Sequence, residues 1–174
     1  MWFPVSAAFN GSTEALLADL PQYALVRVMT TGSQQRGPPT PPDFVSLQQP
    51  WAPASNATIL DFSAVCWFFA RRLVDAWLEA GVAPVPLGLI NDNIGGTSIA
   101  LWSSNATLTA CGIASLRPEV PNPNPNDGVL YSSLVRPLTT GPTHFTGWTW
   151  FQAEADAPPY GWNPEWRVSS ILTP

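Results

Sequence analysis

Residues 60–81, LDFSAVCWFFARRLVDAWLEAG, place apolar side chains at Phe62, Val65, Cys66, Phe69, Leu73 and Trp77. That three-to-four-residue spacing predicts an amphipathic helix, with Asp61 near its start and Gly81 at its stop. VPLGLIND, residues 85–92, follows directly and predicts a buried strand that runs into the pair Gly95 and Gly96. Upstream, the β-branched run YALVRVMTT at 23–31 predicts another strand. Downstream, a second helix is expected over about Asp127 to Leu138, with Asp127 available as its cap, and HFTGWTWFQ at 144–152 as a further buried strand. Strand, helix, strand, helix, strand, with near-continuous apolar strands, argues for an α/β sheet covered on both faces.

A chain of 174 residues with 45% apolar residues and nine tryptophans is long and apolar enough for one domain spanning 1–174. Its twenty prolines cluster in RGPPTPPD at 36–43 and RPEVPNPNPND at 117–127, which predicts two long surface loops rather than general disorder. Only 11% of residues are charged, the net charge is −5, and all seven cations are arginines. Nucleic acid and acidic membrane surfaces are therefore not the expected partners, because both require a basic patch. No charge-free apolar run reaches eighteen residues, so no membrane span is expected. The first residues, MWFPVSAAFNGSTE, do not read as a signal peptide.

Three glycosylation sequons begin at Asn10, Asn56 and Asn105. They are either chance matches to a short pattern or the mark of a secreted or lysosomal glycoprotein whose leader is not in this chain. Of the two cysteines, Cys66 lies within the helical pattern and reads as a core thiol, while Cys111 follows a loop; their spacing does not place the two sulfurs together.

In open α/β sheets, ligands collect at the carboxyl ends of strands. Two polar runs fall at such ends, NDNIGGTS at 91–98 and QAEAD at 152–156. Gly95 and Gly96 either permit a tight turn or aim a backbone amide into a site, as an oxyanion hole does. The missing lysine and the spacing exclude a phosphate loop. Gln152, Glu154 and Asp156 read either as a solvated loop or as groups that orient a histidine, a backbone amide or a sugar hydroxyl.

At this point five blocks, DFSAVCWFFARRLVDA, PLGLINDNIGGTSIALWSS, TACGI, LYSSLVRPL and GWTWFQAEAD, taken in order over most of residues 44–157, resemble the sialate O-acetylesterases, SGNH-type serine esterases. The resemblance implies a flavodoxin-like three-layer α/β/α fold with a parallel sheet, incomplete at both ends. It also implies removal of acetyl esters from sialic acids or related sugars in lysosomal or secreted settings, without metal or organic cofactor. Gly95 and Gly96 match the family's Gly-Gly-Thr turn, where a backbone amide helps bind the oxyanion, and Trp102 matches a tryptophan that packs the helix start and borders the pocket. Gln152, Glu154 and Asp156 match the block Tyr-Gln-Gly-Glu-Ser-Asn, and Ala153 replaces its glycine. If that glycine needs positive φ, alanine costs about 1 kcal/mol.

The family's nucleophile stands in Gly-Gln-Ser-Asn-Met after the first strand, and Met1 looks like the last residue of that block. The base, in an Asp-x-x-His motif, belongs further downstream. Neither has a counterpart here. His144, the lone histidine, precedes a predicted strand and reads as a surface or edge residue; Ser12, Ser33 and Ser98 lie near glycines, but none sits in a Gly-x-Ser-x-Gly elbow. Residues 158–174 barely follow the family, apart from Trp166–Arg167. The readings are then the central part of an esterase, a noncatalytic isoform or pseudoenzyme binding acetylated glycans, or an unrelated interaction domain.

Overall fold

Gly81 ends the longest helix as its φ of +69° requires. In the computed structural model, which describes residues 3–8, 14–32, 47–112, 127–141, 144–152 and 154–156, the amide of Gly81 bonds the Leu78 carbonyl and that of Val82 the Trp77 carbonyl. This is the Schellman arrangement that satisfies the last free carbonyls of a helix. The chain divides into two compact units, Met1–Gln35 with Phe44–Gly95, and Arg36–Asp43 with Gly96–Pro174.

The first unit holds a three-stranded sheet in the order β2-β1-β3, made of β1 (Val26–Thr31), β2 (Leu47–Pro53) and β3 (Leu87–Asn91). Short helices α1 (Val5–Ala8), α2 (Glu14–Ala18) and α3 (Asn56–Ile59) accompany the long helix α4 (Ala64–Glu79). The two expected strands at 23–31 and 85–92 form as β1 and β3 and pair in parallel, Val26 opposite Leu87 and Thr30 opposite Asn91. The sheet as a whole is not parallel, however, because β2 pairs antiparallel with β1. Pro50 and Pro53 hide this strand from a sequence pattern, but proline is tolerated at a sheet edge, where one side of the backbone needs no ladder partner. The register slips between Val28–Ala52 and Thr30–Gln49, where Pro50 and Trp51 fall.

α4 forms where its spacing predicts, but it buries a different face. Ala64, Trp67, Ala70 and Val74 are the buried positions, whereas Val65 and Phe69 are exposed. Small alanines let the helix approach the strands closely, and packing, not side-chain size, selects the stripe. Its cap is Ser63, whose hydroxyl accepts from the Cys66 amide. The core joins Val26, Val28 and Leu89 of the sheet to Trp67 and Val74 of α4 and to Tyr23. Tyr23 meets Trp67 edge-to-face at 5.6 Å, and its hydroxyl donates to Asp75 at 2.9 Å. Cys66 is half-buried, and burial pushes its thiol up; Cys66 and Cys111 are both free.

The second unit contains a 3₁₀ turn at Ile99–Trp102, α5 (Asn105–Ala110), a π-type turn at Tyr131–Val135, α6 (Arg136–Thr140) and a 3₁₀ turn at Glu154–Asp156. The second expected helix therefore exists but is not regular. Pro137 has no N–H to donate, and just before it the Arg136 amide reaches back five residues to the Tyr131 carbonyl.

Residues 144–152 do not form the expected strand. Trp148, Trp150 and Phe151 are 47%, 49% and 60% exposed, which overturns the reading of a buried run. The rings pack on other rings instead: Phe145 on Trp148 at 4.9 Å, and Trp150 edge-to-face on Trp102 at 5.6 Å. The loops expected at 36–43 and 117–127 lie outside the described residues, Asp127 excepted.

Candidate active-site elements

Each unit contributes one polar cluster. In the first, Thr31 closes β1 while Asn91 closes β3, with Asp92 and Asn93 after it. Parallel pairing therefore delivers all four to the carboxyl end of the sheet, the usual ligand end of such sheets. The Thr31 hydroxyl donates to the Asp92 carboxylate at 2.8 Å. Burial outweighs this bond and pushes the Asp92 carboxyl up to about 6. Asn91 is 3% exposed; its Oδ1 accepts from the Asn93 side chain, while its Nδ2 has no partner among the described residues. A buried, unpartnered amide donor costs about 1–3 kcal/mol. The polar run at 91–98 is visible in the sequence, but the meeting of Thr31 with Asn91 and Asp92 is not, because only the fold brings the two strand ends together.

The second cluster is built on Thr97–Trp102. Ser98 is extended, so the 3₁₀ turn that begins at Ile99 has amides with no partner inside the turn. Asp156 supplies one from afar: its Oδ2 accepts from the Ile99 amide at 2.9 Å. Gln152 donates from Nε2 to the Thr97 carbonyl. Trp102, 7% exposed, donates its indole N–H to the Thr97 hydroxyl at 2.8 Å, which satisfies the buried polar end of the ring. Gln152 and Asp156 thus hold the backbone that follows Gly96, and Trp102 holds the Thr97 side chain; Gly96 itself has a φ of +71°, which a side chain would strain.

Of the sequence candidates, Gln152, Asp156 and Trp102 converge on this segment. Gly95 closes the first unit and Gly96 opens the second; both are exposed. Glu154 is exposed, and Asp156 accepts from the Ile99 amide. Ala153 and Asn10 lie outside the described residues, as do Ser12, Ser33, Trp166 and Arg167. Asn56 and Asn105 are exposed as the first residues of α3 and α5. His144 is exposed, as a surface histidine should be. Among the described residues, no group of three or more His, Cys, Asp or Glu is placed to hold a metal ion, and no helix is long and apolar enough to cross a membrane.

Asp156→Ala is expected to cost about 1–2 kcal/mol, as loss of a helix cap does. Amide hydrogen exchange should speed up at Ile99 and stay unchanged in β1; equal acceleration at both would contradict a local capping role.

No family model matches the chain. Individual proteins do. It is 35% identical to a sialate O-acetylesterase of Rattus norvegicus over 145 residues, which is 81% of this chain and 24% of that protein. The belonging is plain. The chain is a member of the sialate O-acetylesterase family. The Mus musculus relative is 33% identical over 68% of this chain and 21% of its own length, and the human one 28% identical over 90% and 29%. The chain therefore spans less than a third of the length of these curated relatives. Among solved structures, a carbohydrate acetylesterase from Xanthomonas citri superposes with a TM-score of 0.61 at 26% identity, over 92% of this chain and 32% of that one. Membership and an α/β arrangement of sheet and helices agree with the resemblance read from the five sequence blocks.

Proposed function

We propose that this family member is part of a carboxylic-ester hydrolase that removes acetyl groups from sialic acids or related acetylated sugars. The observation that carries the reading is the 35% identity to a sialate O-acetylesterase over 81% of the chain. The second cluster supports it. Hydrolysis of an acetyl ester passes through a tetrahedral oxyanion, which is stabilised by donors already held in place. A backbone segment held at the Thr97 carbonyl by Gln152 and at the Ile99 amide by Asp156, directly after Gly95 and Gly96, is built to hold an amide still.

In this reading a serine attacks the acetyl carbonyl, a histidine takes the serine proton and passes it to the departing sugar oxygen, and water then releases acetate. Within the 174 residues no serine sits in a Gly-x-Ser-x-Gly elbow, and the lone His144 is exposed. The resemblance assigns the nucleophile and base to Gly-Gln-Ser-Asn-Met and Asp-x-x-His blocks, which have no counterpart among the 174 residues, and in this reading the 174 residues alone do not hydrolyse the ester. The complete domain has the flavodoxin-like three-layer form. The exposed Asn56 and Asn105 suit a secreted or lysosomal glycoprotein. A second reading is a noncatalytic isoform that binds acetylated glycans.

Acetate release from acetylated sialic acid tests this. The 174-residue chain should show none above an inactivated control. A protein extended by the neighbouring coding sequence on both sides should hydrolyse the ester and lose that activity when its serine is changed to alanine. Failure of the extended protein on every acetylated sugar would refute the hydrolase reading. For the noncatalytic reading, calorimetry of the 174-residue chain with acetylated sialic acid should show saturable heat, and a flat titration at millimolar ligand would remove it.

A further inference from the structure

Thr31 ends β1 with one hydroxyl proton and two acceptor oxygens within its reach. Its Oγ1 stands 2.8 Å from the Asp92 carboxylate and 3.4 Å from the Asn91 carbonyl. All three groups lie where the parallel strands β1 and β3 leave the sheet, since Thr30 is the register partner of Asn91. Thr31 is 4% exposed and Asn91 3%, so water is a poor substitute partner there.

A hydroxyl donates one proton and also accepts, an ionised carboxylate only accepts, and a protonated carboxyl gains one donor. The number of bonds across the strand ends therefore depends on the state of Asp92. When Asp92 is ionised, the Thr31 proton goes to the nearer, charged oxygen and not to the Asn91 carbonyl. When Asp92 is protonated, it donates to Thr31 Oγ1, and the Thr31 proton is free to turn to the Asn91 carbonyl. One bond becomes two.

The surroundings leave this exchange to Asp92 alone. Its carboxyl is half-buried, and burial and the Thr31 hydroxyl are what shift it; no arginine, histidine or second carboxylate among the described residues acts on it. Asn93, next in the chain, turns its side-chain amide to Asn91 Oδ1 instead. Burial raises the carboxyl to about 6 from 3.8, so the closed strand ends favour the protonated form.

We propose that Thr31, Asn91 and Asp92 form a proton-operated latch that ties the exits of β1 and β3 together in acid and releases them as the medium becomes neutral. The element it biases is the last rungs of the ladder, with residues 92–94 that run on to Gly95. Because the closed value stands above the open one, the latch is fully set below about pH 4 and released as pH rises through about 6. By the same linkage, the equilibrium for local opening rises about tenfold between pH 5 and pH 8.

Amide hydrogen exchange of the 174-residue chain, followed by NMR at pH 5 and pH 8 and corrected for the pH dependence of the exchange chemistry, tests the latch. Protection at Thr30, Thr31, Ile90 and Asn91 should be about tenfold lower at pH 8, while Val26 and Leu87, at the other end of the same ladder, change less. Asp92→Asn, uncharged and able to donate at every pH, should keep high protection at both. Thr31→Val should lose protection at both, and Thr31→Ser, which keeps the hydroxyl, should restore the pH response of the parent.

Equal protection of the parent at pH 5 and pH 8 would overturn the proposal, as would a tenfold change that survives in Asp92→Asn, or a Thr31→Ser variant that behaves as Thr31→Val. An equal change at both ends of the ladder would also overturn it, by assigning the effect to the stability of the whole chain. The Asp92 and Thr31 variants probe different members of the latch, so the test survives if one of them fails to fold. The latch needs no ester chemistry, and acetate release by the extended protein is a separate readout, so each proposal fails on its own measurement.

Discussion

Trp67→Ala is expected to lower the unfolding free energy by about 3–5 kcal/mol, the usual cost of deleting a large aromatic from a core. Trp67 is completely buried on the inner face of α4, among Val26, Val28 and Val74 and edge-on to Tyr23. Its neighbours belong to different elements, so they cannot all move into the vacated volume. A domain's whole stability is about 5–15 kcal/mol, so the variant should sit near its unfolding threshold. Trp67→Phe should be much milder. The indole N–H has no hydrogen-bond partner among the described residues, so phenylalanine keeps part of the packing and removes a buried donor that itself costs about 1–3 kcal/mol. Urea unfolding followed by far-ultraviolet circular dichroism measures both. A midpoint for Trp67→Ala indistinguishable from the parent would show that this tryptophan does not organise the core.

Asp92→Asn should have the next largest effect, and it should depend on pH. Burial raises the folded-state carboxyl to about 6 from an ordinary 3.8, so the folded protein binds this proton more tightly than the unfolded chain does. Stability from this group is therefore greatest below about pH 4, where both states are protonated. It falls as pH rises towards 6 and stays low above that. The gap corresponds to a penalty of about 3 kcal/mol at neutral pH. Asparagine keeps an oxygen to accept from Thr31 but carries no charge, so the variant should be more stable than the parent at pH 7–8 and about equal to it at pH 4. Unfolding curves at both pH values decide the matter. A variant less stable at pH 7 would mean that the ionised carboxylate is welcome in its pocket.

The sequence and the structure part company at identifiable places. The helix at 60–81 and the strands at 23–31 and 85–92 were legible, because apolar spacing and breakers such as Gly81 act locally. β2 was not, since Pro50 and Pro53 argue against a strand unless it lies at an edge, and an edge exists only once β1 is placed. The run at 144–152 misled in the opposite direction: its aromatic residues suit a buried strand, but Trp150 finds Trp102 and Phe145 finds Trp148 without any ladder. Gln152 and Asp156 were visible as polar residues beyond an apolar run. Their common target, the backbone at Thr97 and Ile99 some 55 residues earlier, was not.

Local chemistry by itself determined that this chain has an amphipathic helix between two apolar strands, an acidic surface without lysine, and the blocks of an acetylesterase family. Tertiary structure decided which stripe of α4 faces the sheet, which way β2 runs, and that Asp156 rather than Glu154 holds a backbone amide. The division has one physical reason. Helix spacing and turn chemistry are settled among neighbours in sequence, whereas burial, strand pairing and the partner of a carboxylate depend on residues that only folding brings together.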